Sequence, residues 1–240
     1  MEKVRLDKFL SNNTPFSRSE IKTALRRSNV TVNGTKVRAG DEKINPESDE
    51  VLINGKAVRN FKKVYLVINK PSGIISASAD KTRKTVVDLV PEEYKHLDLF
   101  PVGRLDRDTT GLLIITNDGE FAHKVISPNN CVEKCYRVLL DGEIPKSAIK
   151  SFEEGIILVD GTKCRPAKLE IINKTVAHVT ITEGKYHQVK RMFGVIGLGV
   201  VKLHRLSIGQ LALPGNLKEG ECVELTSNEI LEKTLKLTDS

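Results

Sequence analysis

The sequence predicts an α+β protein in two parts: a small α/β module, then a larger domain built on a mainly antiparallel mixed sheet. Three observations predict it. Beyond residue 63 strand patterns outnumber helix patterns, and some follow one another across a turn, as at 167–172 and 176–182. Before residue 60, two short amphipathic helices lead into a small sheet pattern. The 240-residue length is enough for two units with their own cores. The expected organisation is residues 1–58 as the first module, 59–63 (RNFKK) as a basic linker, and 64–240 as the large domain.

Within the module, Leu6, Phe9 and Leu10 fall at i, i+3 and i+4, giving a short helix over 5–12. A second helix starts at Ser17, which with Glu20 writes a capping box, and buries Ile21, Ala24 and Leu25. Arg18, Lys22 and Arg26 recur at i, i+4 and i+8 on another face, with Arg27 beside them. Three cations in a row repel by roughly a few tenths of a kcal/mol per pair, a cost that a phosphate partner would remove. Next, VTVNGTKV places Asn33-Gly34 between alternating strands, a tight hairpin turn, and strand 51–53 ends at a second Asn-Gly.

In the large domain, strands are expected at 64–68, 112–115, 135–140, 167–172, 176–182 and 200–206. Helices are expected at 85–90, 120–127, 146–154 and 186–196, with a tail helix from Thr226 capped through Glu229. No internal repeat or glycine-rich phosphate loop is present.

Composition narrows the function classes. No apolar run approaches the ~20 residues of a membrane span, and MEKVRLDKFL lacks the apolar core of a signal peptide, so a cytoplasmic protein without a membrane partner is expected. Cys131, Cys135, Cys164 and Cys222 are too scattered for a disulfide scaffold or a zinc site, so no metal is expected there. The net charge is +7, and residues 1–40 hold nine Lys or Arg against three acids. A basic segment on an ordered module points to a polyanion, most commonly nucleic acid.

The chemistry centres on FPVGRLDRDTTGLLIITND, residues 100–118. Arg104, Asp106, Arg107 and Asp108 crowd a turn between apolar strands, where rigid flanks hold chemistry well; read alone, it is equally a solvated hairpin tip. For Asp106 to act as a nucleophile it must be ionised while partly enclosed, which a nearby cation favours. Alternatively, Asp106 and Asp108 together would hold Mg²⁺. Three further stretches stand out. NKPSG puts Lys70 before a proline turn, KCYRV puts Tyr136 within a strand, and EGKYHQVKRMF gathers Lys185, His187, Gln188, Lys190 and Arg191 at a loop-to-helix junction suited to phosphate or a carboxylate.

Residues 3–56, with SRSEIKTALRRSNVTVNG at their centre, resemble the S-four RNA-binding domain; Arg18, Lys22, Arg26, Arg27 and Lys36 then correspond to its RNA grip. GRLDRDTTGLLIITNDGEFAHKVISP, with KPSG before it, KCYRV after it and EGKYHQVKRMFGVIG beyond, resembles the ribosomal small-subunit pseudouridine synthase A family. Four blocks in the right order make that resemblance specific, and it runs through nearly the whole chain.

The resemblance implies isomerisation of a uridine without cofactor or metal. Asp106 matches the nucleophile, Arg104 an arginine that helps extrude the uridine, and Tyr136 a tyrosine that packs on the base and is placed to remove the C5 proton. Lys190 matches the basic partner of the aspartate, with Arg191 as the alternative; a lysine there gives up the bidentate fork of arginine. Asp108 becomes a turn residue bonding backbone N–H groups. Lys70, Lys185, His187, Gln188 and Arg191 are expected to touch RNA. GKYHQVKRMF favours small-subunit over large-subunit ribosomal RNA, and a monomer is expected. Two other classes stay open: a non-catalytic RNA-binding assembly factor on this scaffold, and a metal-dependent phosphohydrolase using Asp106 and Asp108.

Overall fold

The computed structural model describes residues 3–235. The chain forms two compact units, one running to Lys63 and including Pro91–Asp98, the other made of Val64–Val90 and the chain from Leu99 onward.

In the first unit, helices α1 (Leu6–Asn13) and α2 (Arg18–Arg26) bury Leu6, Leu10, Ile21 and Leu25 against Val30, Val51 and Ile53 of a four-stranded antiparallel sheet. The capping box closes α2 as its sequence requires, with the Ser17 and Glu20 side chains each accepting from the other's backbone N–H. Both Asn-Gly pairs turn with positive φ at both residues, 51° and 78° at Asn33-Gly34 and 52° and 76° at Asn54-Gly55, the mirror-image geometry that hairpins prefer. Residues 59–63 depart from a plain linker. The Phe61 N–H donates to Asn13 Oδ1 at 2.6 Å, and the Phe61 ring meets Tyr94 and His96 edge-on at 5.6 and 5.5 Å. Aromatic contacts thus draw Pro91–Asp98, expected in the large domain, into the first unit.

The second unit is organised by a nine-stranded sheet. Its main path runs Lys168–Ile171, Val176–Ile181, Lys134–Leu140, Val200–Ile208, Thr110–Thr116, Tyr65–Lys70, Cys222–Leu225. Every pairing is antiparallel except one: Val200–Ile208 runs parallel to Thr110–Thr116, with His204 opposite Thr110 and Arg205 opposite Gly111. Leu112–Ile115 are fully buried, so both sheet faces are covered and the run reads as unbroken apolar sequence. One face packs Tyr65, Val67, Leu112 and Ile114 against Phe121 and Val125 of α3 (Gly119–Ile126) and Ile230 of the tail helix Ser227–Thr234. Elsewhere, Phe152 of α4 (Ser147–Glu154) meets Phe193 of α5 (Gln188–Val195) at 5.0 Å.

Two expected helices change. Residues 85–90 hold only a 3₁₀ turn, Val87–Leu89, because Asp88 Oδ2 turns back to accept from the N–H and hydroxyl of Thr85 and Pro91 follows at once. The helix expected from residue 186 begins at Gln188, since His187 is left-handed at φ 48°. No helix among the described residues is long and apolar enough to cross a membrane.

Candidate active site

The polar turn between Phe100–Pro101 and Thr110–Thr116 is held from below by the NKPSG segment. Lys70 is fully buried, and its ammonium donates to the carbonyls of Pro71 (3.0 Å), Arg107 (3.2 Å) and Thr109 (2.8 Å). Burial pushes its pKa down to about 8, while Asp108 and Asp106 favour the charged form. Further ties join the same two segments: the Ser76 hydroxyl donates to Leu105 O and accepts from Leu105 N, both at 3.0 Å, and the Gly73 N–H donates to Arg107 O at 2.8 Å. Arg107 Nε returns a bond to Gly73 O at 3.2 Å. This corrects the expectation that Lys70 touches RNA, since no part of it is exposed. It fixes the loop on which Asp106 stands.

Asp106 is a quarter exposed and meets two basic groups from the other side of the depression. Lys190 Nζ lies 3.2 Å from Asp106 Oδ2, and His187 Nε2 lies 3.4 Å from Oδ1. Lys190 sits in the first turn of α5, and the left-handed His187 just before it swings the imidazole over Asp106. Lys190 also donates to both oxygens of Asp108 at 2.7 and 2.9 Å, so Asp108 is an exposed second acceptor rather than the backbone-binding turn residue expected. The hydrogen bond from Lys190 holds the Asp108 carboxyl below its ordinary pKa. Burial works against the Lys190 charge, but hydrogen bonds to Asp108 and Asp106 outweigh it, and its pKa stands above the usual lysine value. Arg191 goes elsewhere, to Asp160 Oδ2 at 2.5 Å and the Tyr186 carbonyl at 3.4 Å, so of the two adjacent cations Lys190 is the partner of Asp106.

Arg104, Asp106, Tyr136, Lys185, His187 and Gln188 line one depression whose apolar walls include Leu203 and Val189. Two of its residues are less available than the sequence suggested. Gln188 is buried, donating to Glu183 Oε1 at 2.9 Å and accepting from the Lys185 N–H at 2.9 Å, and so braces its own loop. The Lys185 ammonium is paired with Glu183. Arg104 remains exposed, in the turn where the sequence places it.

Tyr136 is buried in the strand Lys134–Leu140, where a register shift between Cys135 and Tyr136 re-aims it. Its neighbour is a residue that sequence reasoning missed. Arg205 is 2% exposed, donates from Nε to Leu112 O at 2.7 Å, and sits 3.4 Å from the Tyr136 hydroxyl through Nη1. Its Nη2 is buried without a hydrogen-bond partner among the described residues. The available signal was an arginine inside the otherwise strand-like VVKLHRLSIG. His204, beside it, faces Thr110 Oγ1 at 2.8 Å.

The parallel seam that carries Arg205 demands glycine opposite it. Gly111 has φ +100°, and a Cβ there would stand 2.3 Å from Arg205 O and 2.7 Å from Arg205 N. Gly111→Ala is therefore expected to destabilise the second unit by about 3 kcal/mol or more. A urea midpoint equal to that of the parent protein would refute it.

In the first unit, Arg18, Lys22 and Arg26 line a groove of about 800 Å³ together with Arg5, Lys8 and Arg38. Arg27 instead lines a separate depression with Phe16 and Thr23, and Lys36 is exposed on a hairpin strand outside the groove-lining set. Among the described residues no group of three or more His, Cys, Asp or Glu is placed to hold a metal.

An acid held by cations in a depression of a mainly antiparallel sheet, in a chain that also carries a basic module, describes an enzyme acting on a polyanion. The particular family follows from its relatives. Residues 64–194 match the family model described as RNA pseudouridylate synthase, and residues 4–51 match the S4 domain. The chain is 42% identical over 231 residues to a Bacillus subtilis (strain 168) protein named uncharacterized RNA pseudouridine synthase YtzG, covering 95% of this chain and 97% of that one. It is 38% identical over 230 residues to ribosomal small subunit pseudouridine synthase A of Escherichia coli (strain K12), covering 95% and 98%. A solved structure described as a pseudouridylate synthase superposes with TM-score 0.67 at 38% identity, over 96% of this chain and 99% of the other. The chain belongs to the RNA pseudouridine synthase family and is an RNA-binding enzyme of that family, with an S-four domain at its N-terminal end.

Proposed function

We propose that the protein converts one uridine of small-subunit ribosomal RNA to pseudouridine, with Asp106 as the nucleophile. The observation that carries this reading is the Asp106 carboxylate, partly enclosed and 3.2 Å from the Lys190 ammonium, in a depression shared with Arg104 and Tyr136. The ammonium and the His187 imidazole face the two carboxylate oxygens from the other side of the depression. Asp106 attacks the extruded uridine, and the N1–C1′ bond breaks. The base turns while held, C5 bonds to C1′, the bond to the Asp106 carboxylate breaks to return the free acid group, and the C5 proton leaves while N1 gains one, so atoms balance without a co-reactant. Tyr136 packs on the base and receives the C5 proton; Arg205, against its hydroxyl, fixes where that oxygen points. Arg104 helps hold the nucleotide out of the RNA stack.

Two considerations support the small-subunit substrate: the GKYHQVKRMF wording and the names of relatives at 38–39% identity, such as the small-subunit enzyme of Haemophilus influenzae. The reading further supposes a cytoplasmic monomer that meets the RNA before assembly is complete. Incubation of small- and large-subunit transcripts with the protein, followed by carbodiimide-block primer extension, should give one stop in the small-subunit RNA. A stop only in the large-subunit transcript would overturn the substrate, and none in either, nor in assembly intermediates, would leave an RNA-binding assembly factor.

The groove of the first unit supplies affinity without sequence preference in this reading. Each phosphate contact contributes about 0.7–0.9 log units of affinity per log unit of salt. Replacing Arg18, Lys22 and Arg26 together by Ala should thus lower the slope by roughly 2 and weaken RNA binding. Unchanged affinity and slope in a filter-binding titration would remove the groove from the RNA interface.

A further inference from the structure

We infer that Tyr186, backed by His187, is a stacking platform for a nucleobase of the substrate RNA next to the target uridine. The inference rests on the reaction proposed above and adds a contact to it. Tyr186 is 78% exposed, yet its ring lies stacked on the His187 imidazole, with centroids 3.9 Å apart and planes 18° from parallel. The same imidazole faces Asp106 Oδ1 at 3.4 Å. A line of contacts thus runs from the carboxylate to the imidazole nitrogen and, through the stacked rings, to a largely exposed phenol.

The ring is presented rigidly, although it is exposed. The Tyr186 carbonyl accepts from Arg191 Nη1, and Arg191 is itself anchored on Asp160. On either side of Tyr186, the Lys185 N–H donates to Gln188 Oε1 and the Gln188 N–H to Lys185 O at 3.1 Å. His187 is held left-handed at φ 48°, an uncommon conformation for a residue other than glycine. An exposed tyrosine fixed at its backbone loses little freedom when a planar partner arrives.

The partner that fits is a base. Taking a uridine out of an RNA stack leaves its neighbour with a bare face, and aromatic side chains commonly satisfy such faces without reading sequence. The surroundings favour RNA over an apolar protein surface, because the neighbours Lys185, His187, Lys190 and Arg191 are polar hydrogen-bonding groups, each also paired with an acid of this site or with Asp160.

The test is equilibrium binding of a small-subunit RNA transcript to the Asp106→Asn protein, combined with Tyr186→Phe, Tyr186→Leu or Tyr186→Ala. Binding in this background requires no chemistry. Phe should stay within about twofold of the parent, and Leu and Ala should both weaken binding by about 5- to 100-fold, the range for loss of one base–aromatic stack. In the enzyme with Asp106 intact, the Ala variant should raise KM more than it lowers kcat. Parental binding by the Ala variant would overturn the platform, as would Leu binding as well as Phe, which would show apolar bulk rather than stacking. A lowered urea midpoint in the Ala variant would overturn it by assigning Tyr186 to the fold. Failure of the intact enzyme to make pseudouridine would overturn the reaction instead, and the binding series would still decide the platform.

Discussion

Asp106→Asn should abolish pseudouridine formation while leaving the protein folded. Removing the nucleophile from a covalent mechanism is expected to lower turnover on the order of 10⁴-fold or more. The fold should tolerate the change because asparagine keeps the size of the side chain, and Lys190 retains Asp108 at 2.7 Å after the charge of Asp106 is gone. The ion pair is partly exposed on both sides, so the stability change should stay within about 1 kcal/mol. Primer extension reads the product and a urea transition reads the fold. Full activity in a folded Asp106→Asn protein would sink the nucleophile assignment. Substrate RNA should still bind, because the groove cations and the Tyr186 ring are untouched, and that separates a dead enzyme from an unfolded one.

What could be seen in the sequence and what could not divide along a physical line. Local chemistry was legible: the Ser17–Glu20 and Thr226–Glu229 capping boxes and both Asn-Gly turns form as their residues dictate. So was burial on both faces at 112–115, where an unbroken apolar run leaves no other place for the strand. The site was legible as a cluster, since the basic run 185–191 offered Asp106 a cation, whereas the choice of Lys190 within it came from the family resemblance. It was not legible where a side chain finds backbone. Lys70 looks like an exposed lysine before a proline turn because its acceptors on the polar turn are carbonyls of Arg107 and Thr109, and a carbonyl is the same at every residue. Arg205 is hidden for the same reason, its first bond going to Leu112 O. Asp108 was misread because Lys190, 82 residues away, serves two carboxylates at once, which spacing cannot announce. The left-handed His187 delays the start of α5 by two residues, and nothing in KYHQ marks it, since histidine is not glycine.

Lys70→Met should separate activity from stability, because two effects of similar size oppose each other in the fold and only one of them matters to Asp106. Burial that pushes the pKa from its ordinary 10.5 down to about 8 means that holding the ammonium charged in the folded protein costs about 3 kcal/mol at neutral pH. Methionine removes that cost. It also leaves the Pro71 and Thr109 carbonyls without this donor and takes one of two donors from Arg107 O, which keeps the Gly73 N–H, at about 1 kcal/mol or more for each bond lost. The sum lies near zero, so the urea midpoint should move little. The turn carrying Asp106 nevertheless loses its tether, and a displacement of about 1 Å at a reacting group costs on the order of 10²-fold in rate. The pH dependence carries the same signature. Between about 8 and 10.5 the unfolded chain keeps a proton that folded Lys70 has lost, so this group's contribution to stability rises with pH across that window. Activity should do the opposite, falling through an alkaline limb near 8 as the ammonium gives up its charge and one of its donors. Lys134 is also pushed down to about 8, by burial and then by the charge of Arg205, and it would leave its limb in place in the variant. Disappearance of the limb in Lys70→Met, alongside a kcat/KM lowered about 100-fold, would assign the tether to Lys70. A variant with parental kcat/KM and an unchanged limb would show that the turn holds Asp106 without it.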